Sequence, residues 1–369
     1  MAKRFFTAHK GLHIWLTCAL GSLALFWLTR GSRPVMNAVA NYVTGPLKRG
    51  LGAVCDLVPF SVMEVLVALA VVGVLAWLVV CVVGTVRSRH RGRFLYRCFL
   101  TLLCAGLTVY AAFSLLWGVN YYTDSFQDRS GIYAQDVALE DLTAVTAYFA
   151  HQLAATAEAV PRDENGCFAV SREDIFAAST GIYGEVSRQF PFLAFPDKVP
   201  KQVHFSRIMS WMNFTGVFCP LTGESNLNVD SPAAMLPSTI AHELAHQRGV
   251  ASEQECNFIA VLASTTCGDP AYVYSGWLLG YVHLSNALYA ADKTAWQAVW
   301  DSLPPTVQTD IRTGNAYWAQ FKSPATEVSQ KVYDNFLKSY GESRGIQSYG
   351  TVVDLLVVYY KDLAQHFSL

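Results

Sequence analysis

Three apolar stretches in the first third of this 369-residue chain, at 12–28, 58–83 and 94–119 or more strictly 98–119, limit most strongly what it can fold into. Each approaches the roughly 20 residues that a helix needs to cross the hydrocarbon of a bilayer. No water is present there, so every backbone N–H and C=O must be satisfied within the segment, and each stretch is expected to be helical. Composition agrees, with 52% hydrophobic and only 15% charged residues. A formal net charge of −1 leaves no strongly basic surface for counterion release, which argues against nucleic acid as a partner. The first stretch is read as a retained span, because Trp27, Thr29 and Arg30 make a poor small-residue cleavage site. Glu64, near the start of the second, is expected at the membrane interface or against another helix.

Positive charge sets the expected orientation. Lys3, Arg4 and Lys10 precede the first span, and Arg87, Arg89, Arg91, Arg93 and Arg97 crowd the link between the second and third. Both regions should stay cytoplasmic. Arg30, Arg33, Lys48 and Arg49 in the first link argue the other way, but more sparsely. Residues 1–119 are thus expected to form a three-helix region of a multi-pass protein in the cytoplasmic membrane, with the bilayer as a partner. Residues 120–369 should form one domain outside that membrane, where Cys167, Cys219, Cys256 and Cys267 could form disulfides.

The second part reads as mainly α with a small β-sheet. Leu139, Leu142, Val145, Phe149 and Leu153 recur at helical spacing within 136–160, and Ser171 with Asp174 opens a second helix running toward Phe190. Short strands are expected at 201–206, 215–219 and 225–230, the last two joined by a turn at Thr222-Gly223. Trp211 and Phe214 are read as core residues rather than the lining of a pocket. Further helices are expected at 271–291, 296–303, 306–321, 327–340 and 351–367. The stripe Tyr274, Trp277, Leu278, Tyr281 and Leu284 suits a buried soluble helix better than a fourth span, given His283 and Asn286 among the apolar residues.

Chemistry concentrates at 237–257, PSTIAHELAHQRGVASEQECN. The spacing His242-Glu243-Leu244-Ala245-His246 puts two imidazoles one helical turn apart with a carboxylate beside them. Two imidazoles and one further ligand hold Zn²⁺ with a position left open, where Glu243 can take a proton from the bound water. Pro237 suits the first turn of this helix and Gly249 the left-handed residue that ends it, so the third ligand should follow soon. Glu253 and Glu255 are both available. Ser252 followed by Glu255 fits a capping box, which leaves Glu253 as the chosen ligand and Glu255 in reserve. Asn257 lies one turn beyond Glu253, where it could orient an imidazole.

HELAH followed by Glu253-x-x-Cys256-Asn257 resembles the HExxH and E-x-x-A-[DN] arrangement of gluzincin-type zinc metallopeptidases. The resemblance implies His242, His246 and Glu253 as zinc ligands, Glu243 as general base and a zincin-like domain. Cys256 and Asn257 depart from the common Ala and Asp, and the gap from His246 to Glu253 is unusually short. Trp117-Gly118-Val119-Asn120-Tyr121, Pro220-Leu221-Thr222-Gly223-Glu224 and Ser348-Tyr349 extend the likeness to an uncharacterised family of bacterial membrane proteins. The expected function is a membrane-anchored zinc peptidase acting on a peptide or protein substrate. The alternative is a zinc-binding but non-hydrolytic sensor or scaffold. Tyr281, His283 and Tyr349 could stabilise an oxyanion, but each is read as structural rather than catalytic.

Overall fold

A computed structural model describes residues 9–340 and 349–367, so Lys3, Arg4 and Ser348 lie outside the described residues. The chain divides into two compact units, Met1–Thr123 with Pro220–Gly223, and Asp124–Cys219 with Glu224–Leu369.

The first unit contains α1 (Lys10–Thr29), α2 (Arg33–Val39), α3 (Gly45–Cys55), α4 (Val62–Arg87) and α5 (Arg91–Leu116). Three of these, α1, α4 and α5, are long and apolar enough to cross a membrane, with mean hydropathies of 1.6, 3.1 and 2.0. Ser61 caps α4 by accepting from the Glu64 N–H at 3.1 Å. Between α1 and α5 the Trp15 indole donates to Thr108 Oγ1 at 2.8 Å, a polar contact of the kind that joins helices where lipid offers no competing partner.

The link between α1 and α4 is itself helical. It holds α2, a π turn at Ala40–Thr44, and α3, with Pro in the first turn of α2 and of α3. Lys48 is buried, its ammonium 5.6 Å from the Trp117 ring, and burial pushes its pKa down to about 8, helped by the neighbouring Arg49 charge. Arg30 lies 3.5 Å over the Trp27 ring and donates to the Tyr122 hydroxyl at 2.7 Å. The expected turn at Thr222-Gly223 also belongs to this unit, although the sequence division places it in the second part. Gly223 has φ +69°, and a Cβ there would meet the Lys48 carbonyl oxygen at 2.6 Å.

The second unit begins with α6 (Phe126–Ser130), α7 (Leu139–Thr156), α8 (Arg172–Ala178) and α9 (Gly184–Gln189). Ser171 caps α8 as expected, accepting from the Asp174 N–H at 3.1 Å. The single helix expected from there to Phe190 is broken instead, because Gly181 takes φ +97° between α8 and α9. Next come β1 (Lys201–Gln202), α10 (Ser206–Trp211), β2 (Gly216–Cys219) and β3 (Glu224–Leu227). The strand expected over 201–206 stops early, and α10 takes up its last residue. Trp211 is 51% exposed, against the core role expected of it.

The sheet order is β1-β3-β2, with β3 parallel to β1 and antiparallel to β2. The strand nearest in sequence to His242, β3, is therefore the central one.

The chain continues with α11 (Leu236–Gln247), α12 (Glu253–Thr266), α13 (Pro270–Ala291), α14 (Lys293–Asp301), α15 (Pro305–Ala319), α16 (Pro324–Ser339) and α17 (Tyr349–Phe367). At the centre is α13, packed against α7, α11, α12 and α17. Its stripe of Tyr274, Leu278, Tyr281 and Leu284 is buried, as a soluble core helix requires. Asp269 caps it by accepting from the Ala271 and Tyr272 N–H groups at 3.0 and 3.1 Å. Gly276 permits close approach to α12, since a Cβ would lie 2.5 Å from that of Ser264, and Gly280 faces the ring of Phe149 on α7.

Candidate metal centre

Pro237 sits in the first turn of α11, where a missing N–H leaves no bond unmade. Gly249, at φ +92°, reverses the chain after the last turn, and α12 begins at Glu253. This tight αα corner is what allows a ligand so soon after the second histidine.

His242, His246 and Glu253 come together, with one donor atom from each lying within 4.8 Å of the others, so the cluster could hold a metal ion. The two Nε2 atoms are 3.1 Å apart. Glu253 Oε2 lies 3.1 Å from His242 Nε2, and Oε1 lies 3.5 Å from His246 Nε2. Hydrogen bonding on the far side of each ring fixes the tautomers. His246 Nδ1 is 2.9 Å from the Val250 carbonyl, which can only accept, so Nδ1 carries the proton. His242 Nδ1 is 2.9 Å from Asn257 Oδ1, the orienting role expected for this asparagine. Neutral rings held this way point two nitrogen lone pairs and a carboxylate at one another. That arrangement is repulsive without positive charge between them, and the donor set therefore fits a cation.

Burial alone would raise the Glu253 carboxyl, but when the two imidazoles are protonated the charges and hydrogen bonds of His246 and His242 outweigh it and hold the group well below the usual carboxylate range. A second support comes from far away in sequence, where the Tyr333 hydroxyl of α16 donates to Glu253 Oε1. Its ring is met edge-on by Phe214 at 5.5 Å and stacks on Phe336 at 6.2 Å.

Glu255 has a different task from the one expected. Ser252 makes no side-chain cap to α12. The Glu255 carboxylate instead accepts from the backbone N–H groups of Phe126 and Gln127 at 2.9 and 3.2 Å, at the start of α6. Those N–H groups have no partner within their own short helix, and they win over the local capping box. Burial raises the Glu255 carboxyl while these donors oppose the rise.

Glu243 is 4% exposed and packs under β2. A Cβ at Gly216 would lie 2.5 Å from its Oε1, so only glycine fits there. Burial pushes the carboxyl up to about 8, with the Glu253 charge acting in the same direction and His242 and the Phe218 N–H opposing. Its Oε2 is buried without a hydrogen-bond partner. Such an atom is costly to leave without a hydrogen bond.

Sequence reasoning missed Gly216, Phe218, Val250 and Tyr333. Only Val250, four residues from His246, carried a local signal. Of the oxyanion candidates, Tyr281 is buried on α13, and the side chain of Tyr349 lies outside the described part. His283 is lowered to about 4 by burial and the nearby His242 charge. It lines a cavity of about 850 Å³ with Asp136, Asn286 and Asp354, to which none of the three metal donors contributes.

No curated protein and no solved structure matches the chain. A family model does match it from residue 40 to residue 357, taking in the second and third long apolar helices and the whole metal cluster, and the chain belongs to that family, described as protein of unknown function DUF3810.

Proposed function

We propose that this chain is a membrane-anchored, zinc-dependent peptidase with a zincin-like catalytic domain. The observation that carries the reading is the buried, unpartnered Glu243 oxygen next to three converging donors. Two histidines and a glutamate with one position left open are a catalytic zinc set. The two imidazole Nε2 atoms lie 3.1 Å apart, close enough for both to ligate one ion. When bound, zinc supplies a Lewis acid and brings the pKa of a water molecule near neutrality.

The chain's own groups supply the rest. Asn257 and the Val250 carbonyl hold the rings so that both Nε2 atoms would be free to ligate a bound ion. Glu243, in the ionised form that the charge of a bound cation would favour over the raised value it has alone, would accept the proton of the attacking water through its unpartnered oxygen and pass it to the leaving amine. An extended peptide would pair with β2, which among the described residues pairs only with β3 and carries Gly216 and Phe218 against Glu243.

The domain faces away from the cytoplasm in this reading. The Arg87 to Arg97 cluster is exposed throughout, whereas two of the four opposing charges are occupied, Lys48 by burial and Arg30 by Tyr122. Reporter fusions after Tyr122 and near Arg91 should report opposite sides of the membrane, and the reverse pattern would put the site in the cytoplasm.

Metal analysis and a peptide-library assay on wild type and Glu243→Gln test the chemistry. Both proteins should hold about one zinc, and only wild type should cleave. Equal inertness on every peptide would favour the non-hydrolytic scaffold.

A further inference from the structure

On α10 the usual order of a surface helix is reversed. Its inward side carries Ser206 and Ser210, 4% and 0% exposed, together with Met209. The serines are fully engaged there. Ser206 donates to the Val203 carbonyl at 2.6 Å and accepts from the Val229 N–H at 2.9 Å. Ser210 pairs with the Tyr317 hydroxyl at 2.6 Å and accepts from Asn228 Nδ2 at 2.9 Å. The outward side and its flanks carry Phe205, Ile208, Trp211 and Met212, at 57%, 57%, 51% and 42% exposure.

Next to it, α16 turns Val328 and Val332 outward at 60% and 64%, one helical turn apart. The two helices are tied together, since Thr326 Oγ1 donates to the Trp211 carbonyl at 3.2 Å and Ser329 Oγ to that of Met212 at 3.1 Å. Their apolar residues thus form one face. The other large exposed apolar residues of this unit, such as Tyr133, Tyr289 and Leu363, are scattered over separate elements.

We infer that this α10–α16 face lies in the headgroup region of a lipid bilayer. A helix that buries its serines and exposes its aromatic and aliphatic residues is favourable only where the surrounding medium is itself apolar. Trp211 suits the membrane interface; Arg207 is paired with Asp230 at 3.0 Å, while the exposed Lys322 and Lys331 outnumber the exposed Glu327, a balance that suits anionic headgroups. The bilayer is already at hand, because the same chain carries three helices able to span it. Nothing in this inference depends on the metal centre.

The test uses the full chain in its native membrane. A photoreactive side chain is placed singly at Ile208, Trp211 and Val328, and at Glu158 and Asp301 as exposed controls. Each variant must first keep the melting temperature of the unmodified chain, and one that does not is replaced by Phe205 or Val332 on the same face. After irradiation, mass spectrometry should find lipid adducts at the three face positions and none at the controls. Adducts to a second copy or to another protein would overturn the inference, and so would lipid labelling no stronger than at Glu158.

Discussion

The donors of the metal centre and their tautomer-fixing partners all come from residues 242–257, on α11, its corner and α12, whereas the groups that shape Glu243 and brace Glu253 come from β2 and α16. The first group is local. Helical geometry sets His242 and His246 one turn apart, and a single left-handed glycine returns the chain to Glu253. The second group exists only once the sheet and α16 are packed. In the proposed reading, ligation and reactivity are thus built by different means, and changes in the two regions should fail differently.

The largest expected effect lies in the local region. His242→Ala or His246→Ala removes one of three protein ligands and should take zinc content from about one per chain to none, as read by elemental analysis. Retained zinc in both variants would break the comparison at its base.

Next comes a change in the remote region. Gly216→Ala places a methyl group on the Glu243 carboxylate, so zinc should stay while peptide cleavage falls by about 10²-fold or more, as expected when a positioned base is lost. Loss of zinc here would mean that β2 shapes the ligands as well as the base.

Third, Glu253 and Glu255 sit two positions apart on one helix yet serve different regions. Glu253→Gln should weaken zinc binding without unfolding the chain. Glu255→Gln should keep the zinc and lower stability by about 1–3 kcal/mol, because it weakens a buried, charge-assisted cap on α6. If Glu255→Gln empties the site, the ligand assignment is wrong. The smallest effect is expected for Tyr333→Phe, which removes only the hydroxyl that braces Glu253 and should weaken zinc affinity about 10-fold in a competition titration.

These contrasts follow the limits of what could be read beforehand. The three apolar helices were legible because span length and composition alone identify them. The αα corner was legible because its signals, Pro237, the His spacing, Gly249 and Asn257, are all local. Glu255 was misread because a capping box is a local rule, and its actual partners, Phe126 and Gln127, lie more than a hundred positions earlier. Gly216 looked like any strand glycine until Glu243 was packed beneath it. Order within the sheet was hidden for a related reason, since pattern shows that β3 is a strand but not which strands flank it. Over 206–211 no helix was read, because six residues carry too little periodicity to reveal one or to tell which of its faces looks inward.

The two glycines of α13 bear on the order in which the molecule comes apart. Gly276 and Gly280 let α12 and α7 close directly on its backbone, and α11 and α17 cover other sides. Exposing an α13 amide therefore requires several helices to separate together, so these amides should exchange with deuterium only through global opening. The corner that carries the metal donors is mounted on this slowest-opening element. A metal ion could then leave and return many times within the lifetime of one folded molecule, and chelation should yield an intact apo-protein rather than an unfolded chain.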